Sequence, residues 1–188
     1  MNRTFRGLAL IGLYTVSRLA FADPTPFSVS SPDFGPERPM LDSHLFNRYG
    51  CTGLNRSPAL QWTGAPSGTK SFAITMFDID EHGTPSGWWH WVVYDIPKSA
   101  TQLPENAGTE RSSTLPPGAV QGRTDMAQDA YHGPCPTKGE SPHRYVITVY
   151  ALSVENLPVP PEASGAMVTW VAHDYTLAKA MLTARYGR

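Results

Sequence analysis

Two segments of this 188-residue chain combine acids, histidines and tight turns, which are the ingredients of a binding or catalytic pocket. In the first, Asp78 and Asp80 end an apolar stretch, a Gly/Pro turn follows, and His90 lies in the aromatic run that comes next. In the second, a Pro/Gly-rich loop over residues 132–145 ends in a His-Arg-Tyr string. Carboxylates and imidazoles hold protons, anions or metal ions, so these two segments predict a polar site.

The same residues could instead have a purely structural role. The two aspartates could accept hydrogen bonds from turn amides, and His90 could be a hydrogen-bonded histidine of the core. A hydrolase is disfavoured because G-x-S-x-G is missing and Cys135 is better explained by a disulfide than as a nucleophile. A metal enzyme is disfavoured because HExxH is missing, although the chain has suitable ligand types in Asp78, Asp80, His82, His90 and His143.

The elements that must position this site are mostly β-strands. Apolar and β-branched runs predict strands near residues 27–30, 60–63, 71–77, 88–96 and 145–152. The third run is apolar on both faces, so we expect a central strand covered on both sides. In the fourth run, simple alternation places four side chains on one face, namely Trp88, His90, Val92 and Tyr94.

The end of the chain has a helical pattern. Ser164 can cap a first helix and Asp174 a second one, which has apolar residues at helical spacing: Leu177, Ala180, Met181 and Ala184. Residues 99–144 form an irregular stretch that is long enough to be functional. Strands first and helices last predict an α+β fold or a β-sandwich with C-terminal α-helices.

The first 22 residues are typical of a signal peptide. Two arginines precede a short apolar run over residues 8–16, and Ala20-Phe21-Ala22 has the small residues that a signal peptidase requires. Cleavage would leave residues 23–188 as one domain that does not span a membrane, while an uncleaved anchor is the alternative. It would also remove three arginines and no acid, leaving 12 basic and 16 acidic residues and a net charge of −4. This balance disfavours nucleic acid as a partner.

Cys51 and Cys135 are the two cysteines of the chain. An exported protein reaches an oxidising compartment, the periplasm or the exterior, so we predict a disulfide between them. Such a bond would close a loop of more than 80 residues. In loop-entropy models, closing a loop of that length stabilises the folded state by roughly 4 kcal/mol. The alternative is two unpaired, small core residues.

Taken together, the motifs resemble the phosphatidylethanolamine-binding protein family, and in particular its bacterial Raf-kinase-inhibitor-like branch. The matching strings are the D-x-D turn, W-W-H-W-V-V-Y, and G-P-C-P-x-K-G followed by P-H-R-Y. Further matches are Y-G-C-T-G at Tyr49, N-x-S-P-x-L-x-W at Asn55, and S-G-A-M at Ser164. Any one of these strings is weak, but their shared order from about Phe27 to Arg188 is specific.

The resemblance implies a large central antiparallel sheet packed on a smaller one. It also implies a small pocket for an anion, such as a phosphorylated ligand or a phospholipid head group, with no cofactor and no catalytic turnover. Some family members restrain kinases or protease cascades, so a protein partner is a further expectation. Carried over to this sequence, the pocket residues are Asp78, Asp80, His90, Gly133, Pro136, His143 and Tyr145.

The chemistry of such a pocket leads to an expectation about pH. Loop N–H groups and two imidazoles would donate to the anion, while the acids would orient the histidines and raise their pKa. Anion binding should then become tighter as the pH falls through the histidine range.

This sequence also departs from the family pattern. The usual acid-proline-acid-x-proline turn has lost both prolines in residues 78–82, and Thr137 stands where a second proline is common. Ligand preference therefore need not carry over. The alternative function is a protein-interaction or inhibitor module that acts through residues 99–131 and keeps only a vestigial pocket.

Overall fold

The computed structural model describes residues 25–35, 38–84 and 86–188, which form two antiparallel sheets and one α-helix. The predicted signal peptide, residues 1–22, lies outside these ranges. Within them, no helix has the length and apolar character that a membrane span requires. The elements are β1 (Ser28–Ser30), a short 3-10 helix (Asp42–His44), β2 (Leu60–Thr63), β3 (Ser71–Asp78), β4 (Trp88–Pro97), β5 (Gln102–Leu103), β6 (Val120–Gln121), β7 (His143–Leu152), α1 (Gly165–Tyr175) and β8 (Thr176–Tyr186).

The two sheets differ in size and share one core. The larger sheet has the strand order β6-β4-β3-β7-β8, and the smaller has the order β1-β2-β5. Trp62 of the smaller sheet packs against Phe72 of the larger one, with ring centroids 5.3 Å apart. The predicted pair of a large and a small antiparallel sheet is therefore confirmed.

Strand β3 is the central strand that its sequence predicts. It pairs with β4 on one side and β7 on the other. Ile74 lies in the core between the sheets, while Ala73 lies in a second cluster beneath α1. Burial on both faces explains why this strand is apolar at consecutive positions.

The prediction of a second C-terminal helix is wrong. Ser164 caps α1 as expected, and its side chain accepts a hydrogen bond from the Met167 N–H at 3.3 Å. However, the chain then enters β8, which pairs with β7 along almost its whole length. Burial in β8 alternates with a period of two, with Met181 exposed between buried Ala180 and Leu182. The apolar spacing fits a helix locally, but pairing with the free edge of β7 decides for a strand.

Strand β4 contains a bulge at His90 that its sequence pattern does not reveal. Trp91 pairs with Met76 and Trp89 pairs with Phe77, which leaves His90 without a partner on β3. An unpaired residue of this kind interrupts the alternation of side chains along the strand. The prediction of a single face is therefore wrong. Trp88 and His90 line a pocket, whereas Val92 and Tyr94 belong to the cluster beneath α1.

The long stretch after β4 is tied into both sheets. Strand β5 pairs with β2 in the smaller sheet, and β6 pairs with β4 at the edge of the larger one. Leu103 and Tyr131 anchor it in the main core. Exposed residues nevertheless remain along much of the stretch, including 104–106, 110–111, 113–114, 117–118 and 127–129.

Candidate functional site

A cavity of about 240 Å³ opens at the edge of the large sheet where β3 ends and where β4 and β7 begin. Antiparallel pairing places Asp78 opposite both Trp88 and Tyr145, so one sheet edge collects side chains that are far apart in sequence. Five of the seven predicted site residues line this cavity, namely Asp78, His90, Gly133, Pro136 and Tyr145. The other two, Asp80 and His143, do not line it. The binding role of all seven stays a prediction.

Asp78 is the buried acid of the pocket wall. Its side chain accepts a hydrogen bond from His143 Nδ1 at 2.8 Å and another from the Asp80 N–H at 2.9 Å. Both Asp78 and His143 are buried, each 1% exposed. His143 therefore supports the carboxylate and holds its orientation.

The pKa of His143 is raised above its ordinary value. Burial by itself would lower it, but the hydrogen bond to Asp78 and the negative charge of that carboxylate outweigh burial, and Glu140 and Glu81 contribute in the same direction. Because a carboxylate can only accept, Nδ1 must carry the proton in this pair. The expectation that the acids raise a histidine pKa is confirmed for His143.

His90 has the opposite shift. Burial lowers its pKa, and this outweighs the hydrogen bond to the His132 carbonyl and the charge of Asp78, which both raise it. The expected raised pKa is therefore wrong for His90. Its Nδ1 donates to that carbonyl at 2.7 Å, and its Nε2 lies 4.0 Å from Asp78 Oδ2. In the neutral ring, Nε2 is consequently an acceptor facing a carboxylate.

Asp80 is turned away to pair with Arg144. The Arg144 guanidinium donates to both carboxylate oxygens, at 2.6 and 2.8 Å, and the Arg144 N–H adds a third bond at 2.8 Å. These hydrogen bonds lower the pKa of Asp80 to about 2. Asp80 thus fixes the start of β7 to the end of β3, and it is the partner that the sequence leaves unspecified for Arg144.

Tyr145 carries a buried hydroxyl next to the Asp78 carboxylate. The residue is fully buried and lines the pocket, and its ring meets that of His90 with centroids 5.3 Å apart. Burial, followed by the charge of Asp78, raises its pKa well above its ordinary range, so the O–H stays protonated. Asp78 acts on Oη as a weak acceptor, but the geometry falls short of a well-formed hydrogen bond within the described residues. A buried hydroxyl that lacks a well-formed hydrogen bond is costly, which makes it a marked feature of this wall.

The opposite wall is the Gly/Pro loop that begins at Gly133. Its N–H donates to Asn55 Oδ1 at 2.8 Å, so this amide is not free to bind an anion as expected from the sequence. A Cβ here would overlap the His44 carbonyl oxygen, which explains the glycine. The loop is fastened by the disulfide between Cys51 and Cys135, whose predicted pairing is confirmed.

Several pocket residues were missed in the sequence, namely Phe46, Tyr49, Glu81, Trp88, Met126 and His132. Tyr49 and Trp88 lie inside the matching strings, and His132 opens the Pro/Gly-rich loop, so their positions were an available signal. Phe46 and Met126 lie outside all of these strings. Only the fold brings these two to the cavity.

One group of side chains has the composition of a metal site. Ligand atoms of Asp78, Glu81 and His143 lie within 4.8 Å of one another. However, His143 Nδ1 already donates to Asp78, and its Nε2 lies 3.4 Å from Glu140 Oε2. Asp80 is occupied by its arginine. The five ligand candidates of the sequence are thus not gathered into one coordination set.

Comparisons with known proteins agree with this architecture. Residues 31–187 match the model of the family described as phosphatidylethanolamine-binding protein. The UPF0098 protein YbcL of Escherichia coli is 44% identical over 165 residues, covering 88% of this chain and 90% of that protein. The UPF0098 protein YbhB of the same organism is 46% identical over 144 residues, covering 77% and 89%. The crystal structure of E. coli YbcL, described as a new member of the mammalian PEBP family, has a TM-score of 0.83 at 44% identity and covers 86% of this chain and 98% of that one.

Proposed function

This chain belongs to the phosphatidylethanolamine-binding protein family, and we propose that it is a binding protein for a small anionic group rather than an enzyme. The ligand class is a phosphate-like anion, carried by a phosphorylated molecule or by a phospholipid head group. The family membership confirms the resemblance of the sequence motifs.

The observation that carries this proposal is the buried hydroxyl of Tyr145. It points to a ligand because its interaction with Asp78 falls short of a well-formed hydrogen bond, and an anion in the pocket would accept a better one. A fully unsatisfied buried O–H costs about 1–3 kcal/mol, which is the upper limit of this gain. The cavity is large enough for a phosphate with a short substituent, since its 240 Å³ equals the liquid volume of about eight waters.

A second donor arises when His90 takes up a proton. The positive ring would present Nε2–H to the anion and would offset the negative charge of Asp78. Two acids on the wall, Asp78 and Glu81, otherwise oppose an anion. Anion binding therefore depends on the protonation of His90.

The test is isothermal titration of the oxidised protein with inorganic phosphate and phosphoethanolamine. Tyr145→Phe removes the donor and should weaken binding by about tenfold, in line with the loss of a charge-assisted hydrogen bond. Tyr150→Phe is a matched control, because it removes a hydroxyl from the same strand but from the cluster on the other sheet face. Equal affinities for Tyr145→Phe and the wild type would contradict the proposal.

A protein partner is the other outcome of this experiment. If neither phosphate nor phosphoethanolamine binds, the exposed residues of the stretch 99–131 become the first surface to alter. A partner that still binds after His90→Ala would then mark the pocket as vestigial.

We also propose that the protein works outside the cytoplasm. The disulfide between Cys51 and Cys135 supports this location, because such bonds persist in oxidising compartments. Amino-terminal sequencing of the protein recovered from the periplasmic or culture fraction should begin at Asp23. Recovery with Met1 from the cytosolic fraction would refute this location.

A further inference from the structure

A second cavity of about 280 Å³ adjoins the pocket. The two cavities share four lining residues, Phe46, Tyr49, Met126 and His132. We call these adjoining cavities the first and second chambers of one cleft, which meet at the four shared side chains. A ligand that places a phosphate in the first chamber and extends over these side chains reaches the second.

The second chamber differs from the first in its chemistry. Amide and hydroxyl side chains line it, including Asn47 and Gln128, together with one cation, Arg48. Within the described residues, the Arg48 guanidinium makes no ion pair or hydrogen bond, and Glu110, which also lines this chamber, forms no ion pair with it. Burial lowers the pKa of His132, and the charge of Arg48 lowers it further, so this charge acts on a ring that lines both chambers.

The backbone of Arg48 is held in place before any ligand arrives. A tight turn closes with a hydrogen bond from the Cys51 N–H to the Arg48 carbonyl at 3.0 Å. Tyr49 and Gly50, in the middle of this turn, both have positive φ values, of 54° and 80°. Cys51 is in turn bonded to Cys135 of the facing loop. Such preorganisation reduces the entropy that binding would otherwise cost.

We propose that Arg48 forms a second anion subsite in this cleft, and that the ligand is a phosphorylated peptide with a carboxylate a few atoms away from its phosphate. This inference rests on the proposed function, which places the phosphate in the first chamber. The polar lining favours a peptide over a lipid, because amides match peptide groups whereas an acyl chain requires apolar walls.

The test compares short phosphoserine peptides that differ by one group, glutamate against glutamine, at the positions just before and after the phosphoserine. At low salt, the wild type should bind the best glutamate peptide about fivefold more tightly than its glutamine match, as expected for a partly exposed ion pair. Arg48→Met should abolish this preference. Arg185→Met, which removes an exposed arginine from β8, should keep it.

Each result has a separate meaning. If inorganic phosphate binds but the glutamate preference is missing in the wild type, or persists in Arg48→Met, the subsite is refuted and the proposed function stands. If neither phosphate nor any peptide binds, both fail. If a short-chain phosphatidylethanolamine displaces phosphate while no peptide does, the ligand is a lipid and the peptide inference is overturned. As a check without ligand, the pKa of His132 measured by NMR should rise in Arg48→Met and stay unchanged in Arg185→Met.

Discussion

Anion binding to the pocket should be linked to the uptake of one proton by His90. In the free protein the Nδ1–H is committed to the His132 carbonyl at 2.7 Å, so the neutral ring offers only a lone pair at Nε2. Burial keeps the pKa of His90 below its ordinary value of 6.5, so the ring is mostly neutral at pH 7. An anion must therefore bring in a proton, and Asp78 and Glu81 on the same wall reinforce this need.

The size of the effect follows from this one proton. Above the pKa of His90 in the free protein, the fraction of protonated rings falls tenfold for each pH unit, and the binding constant should fall with it. Between pH 6.5 and 7.5 the affinity should thus weaken by about tenfold, or about 1.4 kcal/mol. Below the free-state pKa the affinity should level off.

Sulfate is a suitable probe because its charge does not change over this range, whereas phosphate itself titrates. Isothermal titration in two buffers of different ionisation enthalpy counts the protons, and about one should be taken up per sulfate at pH 7.5. His90→Gln should bind sulfate with no proton uptake and little pH dependence. A wild-type affinity that stays within twofold from pH 6.5 to 7.5 would refute the reasoning. Uptake that persists in His90→Gln would assign the proton to another group, such as His132 or His143.

The remaining predictions concern the supports of the pocket. Replacing both disulfide cysteines by alanine should lower the free energy of unfolding by about 4 kcal/mol, because the bond spans 84 residues; denaturant titration of this variant and of the reduced wild type should agree. Asp80→Asn should lower the free energy of unfolding by about 1 kcal/mol at pH 7. This is less than the pKa shift by itself implies, because water screens the exposed pair with Arg144. Since Arg144 lowers the pKa of Asp80 to about 2, that contribution is complete above about pH 4 and lost as the pH falls towards 2, so the two unfolding curves should converge there. Gly133→Ala should lower the free energy of unfolding by about 3 kcal/mol, because its Cβ would meet rigid backbone. A Cβ at Gly35 would meet no atom closer than 4.0 Å among the described residues beyond its chain neighbours, so Gly35→Ala should stay within about 0.5 kcal/mol of the wild type in thermal unfolding.

The sequence alone was sufficient for much of the architecture. Strands β2, β3, β4 and β7 carry apolar patterns over their own lengths, so their positions needed no knowledge of their neighbours. The cap of α1 is likewise a local signal, because Ser164 bonds the amide three residues later. Only two cysteines are present, so a disulfide could have one pairing.

The strand β8 shows where local patterns fail. Leu177 and Ala180 fit a helix in spacing, yet the segment pairs with β7 because that strand offers an open row of backbone donors and acceptors. That edge is created by the rest of the sheet. No window of sequence around β8 contains this information.

For the site, the sequence motifs marked five residues that line the cavity, whereas Phe46 and Met126 carried no such signal. Tertiary structure alone decided their roles. The bulge turns His90 into the pocket, Arg144 draws Asp80 away from it, and His143 lies behind Asp78, 65 residues distant in the chain. The directions of the histidine pKa shifts were decided in the same way, because desolvation and charge act through space and depend on what the fold buries beside each ring.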